Sequence, residues 1–310
     1  MKIYIVADVG GTNIRVASYS PDSTEPIQIK KISTQGDGIS PVNRLMNLIA
    51  EFWPDKDEVH SINIAVPGPV NPYTGIIAYA PNIKGWENFP LRQILQDRFP
   101  VKINLANDAN VAALGEWRFG AGKGHKDLVY MTISTGIGGG VILDNHLLLG
   151  VAGLATELGH LIIQPDGPLC GCGHPGHLES FSSGTGIAKY FNKKRSEGFP
   201  TSLQTNHAAS SKEISAAAMK GDDLAIEAFA IAARYLGIGI SNYLHIFNPS
   251  IVILGGGVTH SWSILYEPLM KSIKECITSS RYMENLIVTR AALGDDAGLF
   301  GGLALAQTSD

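Results

Sequence analysis

Cysteine is too scarce for a disulfide framework: the 310-residue chain holds three, an odd number, which excludes the bridged scaffolds of small secreted proteins. A long apolar run near the start is also missing. Met1-Lys2 leads straight into Ile3-Tyr4-Ile5-Val6, and the run ends at Asp8, far short of a signal h-region or a membrane span. The expected location is the cytoplasm, with no membrane partner. Charge of one sign is lacking too. Lys and Arg number 24 against 28 Asp and Glu, giving a net charge of −4 and a pI near 6.1, so there is no global footprint for nucleic acid. The one basic run, Lys193-Lys194-Arg195, reads as a solvated helix face. No G-x-x-x-x-G-K-[ST] loop exists, and neither Gly136-Ile137-Gly138 nor Gly255-Gly256-Gly257 continues with dinucleotide-fold spacing. P-loop enzymes and Rossmann dehydrogenases therefore drop out.

What the chain does have is glycine, 35 residues of it, clustered after apolar runs, where positive φ or close backbone approach to a ligand is needed. With 45% hydrophobic residues it can bury substantial cores, and its length favours about two domains. Residues 3–7 read as a buried strand, Gly10-Gly11-Thr12 as a turn, and 14–19 as the returning strand. The pattern then recurs, with a strand at 128–133, a glycine turn from Ser134 through Thr135, Gly136 and Gly138 to Gly140, and a return at 141–143. Two half-chains that open alike suggest a duplicated α/β unit with a cleft between the copies. Helical spacing marks residues 40–53, 109–117, 179–194, 223–246 and a closing helix at 297–306; strands are expected at 61–66, 101–106 and 251–254, and a polar loop at 198–211. The expected division is 1–120 with the closing helix 297–310 as one α/β domain and 121–296 as the other.

Glycine turns at strand ends offer unpaired N–H groups to phosphate oxygens. Asp8 ends the first strand, where its carboxylate could hold hydrated Mg²⁺ or simply bond its own turn. Asn107-Asp108 stands at a strand-to-helix junction in an N-cap position, a place where α/β proteins set reactive groups. His160, Cys170, Cys172 and His177 follow an H-x9-C-x-C-x4-H spacing that suits a closed, tetrahedral, structural zinc site, with His174 as a competing ligand. Glu157 precedes His160 by three residues and Glu179 lies just past the cluster. A zinc-pinned loop could aim both at sugar hydroxyls; surface salt bridging is the alternative for each.

With these residues in view, the chain resembles the ROK family of repressors and sugar kinases within the actin-like ATPase superfamily, most closely its bacterial glucokinases. The likeness spans essentially the whole chain. Its signature is carried by Ile133-Ser134-Thr135-Gly136-Ile137-Gly138-Gly139-Gly140-Val141, Gly150, Thr156-Glu157-Leu158-Gly159-His160 and Cys170-Gly171-Cys172-Gly173. The resemblance implies a two-domain actin-like (ribonuclease H-like) α/β fold and an ATP-dependent hexose kinase using Mg²⁺ and a structural Zn²⁺. By resemblance, Asp8, Gly10, Gly11, Thr12 and Asn13 form one phosphate segment and Thr135, Gly136 and Gly138 belong to the other, with Gly255, Gly256 and Gly257 near the adenosine. Asp108 matches the catalytic base; Gly68, Asn82, Asn107, Glu157, His160 and Glu179 match sugar-side positions, His160 also binding zinc. Two departures stand out: His177 replaces a usual third cysteine, and Asn13 stands where many relatives carry Lys. Glucose leads among acceptors, ahead of fructose, mannose, allose and N-acetylhexosamines. Relatives form homodimers, and a homodimer is expected here. A sugar-sensing repressor would need a DNA-binding segment ahead of the first strand.

Overall fold

Each apolar stretch that opens a half-chain becomes the centre of a five-stranded sheet. In the computed structural model, which describes residues 2–36, 38–56 and 58–308, the first half contains β1 (Lys2–Val9), β2 (Asn13–Tyr19), β3 (Pro26–Ser33), α1 (Pro41–Glu51) and β4 (Glu58–Val66). A small three-stranded sheet of β5 (Val70–Asn71), β6 (Ile76–Tyr79) and β7 (Glu87–Phe89) follows, then α2 (Leu91–Arg98), β8 (Lys102–Asn107) and α3 (Asp108–Phe119). The second half comprises β9 (Leu128–Ile133), β10 (Ile137–Leu143), β11 (His146–Leu147), α4 (Leu178–Ser182), α5 (Gly184–Ser196), α6 (Ser211–Ala218), α7 (Asp223–Phe247), β12 (Ile251–Gly255), α8 (Trp262–Cys276), β13 (Ile287–Arg290) and α9 (Ala297–Thr308). The sheet orders are β3-β2-β1-β4-β8 and β11-β10-β9-β12-β13. In both, the first strand pairs antiparallel with its hairpin partner and parallel with the strand on its other side. The duplicated unit expected from the two glycine hairpins is thus present as a repeated topology.

Side-chain alternation along the central strands divides each lobe into two layers. In β1, Ile3, Ile5, Ala7 and Val9 pack with Leu45, Leu48 and Ile49 of α1 and Leu91 and Leu95 of α2, while Tyr4 and Val6 turn to Leu299 and Leu303 of α9. In β9, Val129, Met131 and Ile133 face the α5–α8 helices, and Leu128 and Tyr130 join Ala112 and Ala113 of α3 and Ala297 and Ala304 of α9. The helices α3 and α9 therefore lie between the sheets. They cross closely because Gly115 and Gly301 face each other: a Cβ on Gly115 would come within 2.8 Å of the Gly301 nitrogen, and one on Gly301 would strike the Val111 carbonyl. Gly301→Ala is expected to destabilise the fold by about 1–3 kcal/mol or more, read as a lower urea midpoint with an unchanged slope.

Two expectations need correction. The single helix read over 179–194 is two, because Ser183 adopts extended backbone and caps α5 by accepting the Gly186 N–H at 3.0 Å. The second glycine turn is shorter than the glycine run, since β10 begins at Ile137. Helix α7 has the length and apolarity to cross a membrane, but Leu224, Ala228, Phe229, Ala232, Leu236 and Ile240 are buried in the second core.

Candidate active site

The junction of β8 and α3 places Asn107 and Asp108. Asn107 has extended backbone (φ −60°, ψ 143°) and caps the helix. Its Oδ1 accepts from Ala109 N at 3.0 Å and Asn110 N at 3.4 Å, and its Nδ2 donates to the Gly68 carbonyl at 3.0 Å. Gly68 has φ +79°, a conformation open mainly to glycine. Asp108, the first helical residue, accepts the Ala109 N–H at 2.8 Å. Its carboxylate is open to cleft solvent yet lies deep between the lobes. Burial pushes its pKa up to about 6, aided by the negative Asp8 and Glu157, against the lowering effect of the Ala109 and Asn107 hydrogen bonds.

Asp8 ends β1 and also faces the cleft; burial raises its pKa, with Arg15 pulling it down. Arg15 in turn holds the Asp295 carbonyl and the Asp296 carboxylate. The first glycine turn is pinned by Gly10 N to Asn13 O at 2.8 Å and by Thr34, whose N–H reaches Thr12 O at 2.9 Å and whose hydroxyl reaches Gly10 O at 2.6 Å. Gly11, Thr12 and Asn13 line a cavity of about 760 Å³ with Asp8, Lys30 and Lys31. A second cavity of about 690 Å³ holds Asp8, Asp108, Ser134, Arg290 and Gly255, Gly256 and Gly257. A third, about 770 Å³, shares Ser134, Gly257 and His260 with it and is lined by Thr135, Thr185 and Lys189. The three form one glycine-lined cleft along the ends of β1, β9 and β12.

On the other side of Asp108 lies a small chamber of about 60 Å³ lined by Pro69, Asn107, Gly138, Thr156 and Glu157 as well as Asp108. Gly138 thus faces this chamber and the start of α3, where a Cβ would sit 2.9 Å from that of Ala109. Thr156 has φ +68°, a strained conformation for a β-branched residue, held by its hydroxyl to Asn110 Oδ1 at 3.1 Å. His160 stands behind, its Nε2 4.0 Å from Glu157 Oε2. Asn82 is placed against Gly11, close enough to exclude any Cβ there. Glu179 reaches the second glycine turn: Oε2 accepts the Ile137 N–H at 2.8 Å, and Oε1 lies 3.2 Å from Cys170 Sγ.

Ligand atoms of His160, Cys170, Cys172 and His177 lie within 4.8 Å of one another. His177 Nδ1 is 3.2 Å from both His160 Nδ1 and Cys172 Sγ, and Cys170 Sγ is 3.8 Å from His160 Nδ1. These three distances are close to the edges of a zinc tetrahedron, roughly 3.3–3.8 Å for ordinary Zn–N and Zn–S bonds, within a set that extends to 4.8 Å. His177 thus stands with the other three as a group that could hold a metal ion. Burial and its histidine neighbours lower the His177 pKa, which favours the neutral ring that ligates metal. His174 is set outside the four, 3.8 Å from Cys172 Sγ only.

Several cleft residues had escaped the sequence reading: Arg15, Lys30, Lys31, Thr185, Lys189, His260 and Arg290. Ser183-Gly184-Thr185-Gly186 was the usable signal for one group, since Gly184 N bonds Ser134 O at 2.7 Å and the Thr185 hydroxyl bonds Thr135 O at 2.8 Å.

The ROK family profile matches residues 4–309. The chain belongs to the ROK family. The glucokinase of Thermotoga maritima is 35% identical over 306 residues, covering 97% of this chain and 96% of the relative. A ROK family glucokinase from Streptomyces griseus, solved in complex with glucose and AMPPNP, superposes with a TM-score of 0.79 at 33% identity and 99% coverage of each chain. The family's regulators are similar as well: the xylose repressor of Caldicellulosiruptor bescii is 34% identical over 247 residues, 79% of this chain and 61% of the repressor. The fold is accordingly the two-domain, actin-like α/β fold of the ROK sugar kinases.

Proposed function

We propose that this ROK protein is an ATP-dependent hexose kinase whose preferred acceptor is glucose. One observation carries the reading: Asp108 lines both the glycine-rich cleft and the Glu157 chamber, so a single carboxylate faces a phosphate donor on one side and a hydroxyl acceptor on the other. Gly10, Gly11, Thr12 and Asn13 with Thr135 and Gly136 would grip the phosphates through backbone N–H groups, and Gly255, Gly256 and Gly257 would border the adenosine. Asn107, Glu157 and His160 would take the sugar hydroxyls, with Gly68 and Glu179 as positioning residues and Asn82 at the edge between the two substrates. Asp8 would hold hydrated Mg²⁺, which offsets phosphate charge when bound. The zinc cluster would be structural.

Phosphoryl transfer is mostly positioning and electrostatics. Asp108 holds the acceptor hydroxyl in line and takes its proton as the new P–O bond forms and the bond to the leaving ADP breaks. Cleft closure would exclude water and limit wasteful ATP hydrolysis. The same reading includes a cytoplasmic homodimer divided at 1–120 with 297–310, and 121–296. The test is coupled ADP release with glucose, fructose, mannose, allose and N-acetylhexosamines, glucose being expected to give the highest kcat/KM. Similarity to xylose repressors favours a second reading, a sugar-sensing regulator. Glucose binding by calorimetry with no ADP release from any sugar would decide for it.

A further inference from the structure

The chain passes between the lobes twice, through residues 120–127 after α3 and 291–296 before α9. Both passages are fastened to Glu116. This residue sits in the last turns of α3 and is 0% exposed. Its Oε2 accepts the Ala121 N–H at 2.8 Å and the Ala292 N–H at 3.1 Å, and its Oε1 accepts the Leu293 N–H at 2.8 Å. Its backbone carbonyl adds the N–H groups of Gly120 at 3.1 Å and Gly122 at 2.9 Å. Gly120 has no room for a Cβ, which would strike the carboxylate. Among the described residues Glu116 forms no ion pair, so three backbone donors alone compensate a carboxylate taken out of water, an arrangement that is costly unless every acceptor is used.

The position of this staple matters for the site. Ala291, Gly294 and Asp295 of the second passage line the cavity that contains Asp108 and Asp8. Ala291 N also bonds Leu254 O at 2.9 Å, which ties the passage to the strand that ends at Gly255. At its other end α3 begins with Asp108, eight residues or about 12 Å of rigid helix away. One element thus carries the carboxylate at one end and both interlobe passages at the other.

We propose that Glu116 is the pivot of the cleft, a positioning residue that binds the two passages into one hinge and transmits closure along α3 to Asp108. The proposal rests on the kinase reading for its effect on rate. An amide in place of the carboxylate keeps the shape but turns an N–H donor toward at least one of the three backbone donors. Glu116→Gln is therefore expected to fold, to bind glucose within about threefold of wild type, and to lose kcat by about tenfold or more. Deuterium uptake should rise in the peptides over 118–125 and 289–296 together, segments far apart in sequence, with the rest of each lobe unchanged. A folded Glu116→Gln protein with wild-type exchange in those peptides and wild-type kcat would overturn the proposal. In wild-type protein the same two peptides should gain protection together when glucose is added. Independent responses also overturn it, even if the variant does not fold. The exchange readout needs no turnover, so an inactive wild type would refute the kinase reading and leave the pivot to be decided by exchange.

Discussion

Asp108→Asn is expected to lower kcat by about 10²–10⁴ while glucose affinity stays within about threefold. The asparagine keeps the size and the chamber wall but cannot accept the hydroxyl proton. Helix capping survives, because Asn107 supplies the cap at Ala109 and Asn110. The pH profile gives an independent check. With its pKa raised to about 6 by burial and by Asp8 and Glu157, only about one Asp108 in ten is ionised at pH 5 and about nine in ten at pH 7. Wild-type kcat/KM should climb through pH 6 and level off above it, a limb that Asp108→Asn lacks. The same shift bears on stability. The folded state holds this proton more tightly than the unfolded chain, so stability contributed at Asp108 falls as pH rises from about 4 to 6. Asp108→Asn should then raise the thermal midpoint at pH 7 and lose that gain toward pH 4, a trade of stability for catalysis. Unchanged turnover in the variant would remove Asp108 from the role of base.

Local chemistry was legible in the sequence wherever one short segment contains the whole reason for its structure. The alternating apolar runs at β1 and β9, the glycine turns after them, the Asn107 cap and the Cys170-Gly171-Cys172 knuckle each declare themselves within a few residues. The hairpin seen twice pointed to a duplicated α/β unit, and the strand orders of the two sheets came from the structure. What stayed hidden depends on partners distant in sequence. Glu116 looks like any helix glutamate until Ala292 and Leu293 arrive from the end of the chain. Glu179, expected at the sugar, also ties two distant segments, its Oε2 accepting the Ile137 N–H and its Oε1 facing Cys170 Sγ. The break at Ser183 was overridden by an apolar periodicity that continues across it through Ile187 and Phe191. Strand β3 was invisible because most of its residues are exposed, so its pairing with β2 leaves no buried-face pattern.

Loss of the metal cluster is expected to act on the sugar rather than on the nucleotide. His160 offers Nδ1 to the cluster and turns Nε2 toward Glu157, which lines the small chamber beside Asp108, so a bound ion would fix the ring that faces Glu157. Cys172→Ser leaves the loop's backbone turn intact, since Cys170 N to His174 O and Gly173 N to Cys170 O carry it. It removes one ligand from a tetrahedral set, and a serine hydroxyl replaces thiolate poorly at zinc. Purified wild-type protein should contain about one zinc per chain by elemental analysis. The Cys172→Ser protein should lose most of it, melt at lower temperature, and show a glucose KM raised by about tenfold or more with the ATP KM little changed. Cys276 is exposed at the end of α8, remote in sequence from the cluster, so Cys276→Ser is the control and should match wild type in every measurement. A wild type free of zinc, with Cys172→Ser unaltered in glucose KM, would show that the four side chains converge without a metal. His160 would then owe its position to the packing of Leu158 and to the Tyr243 hydroxyl on the Leu158 carbonyl.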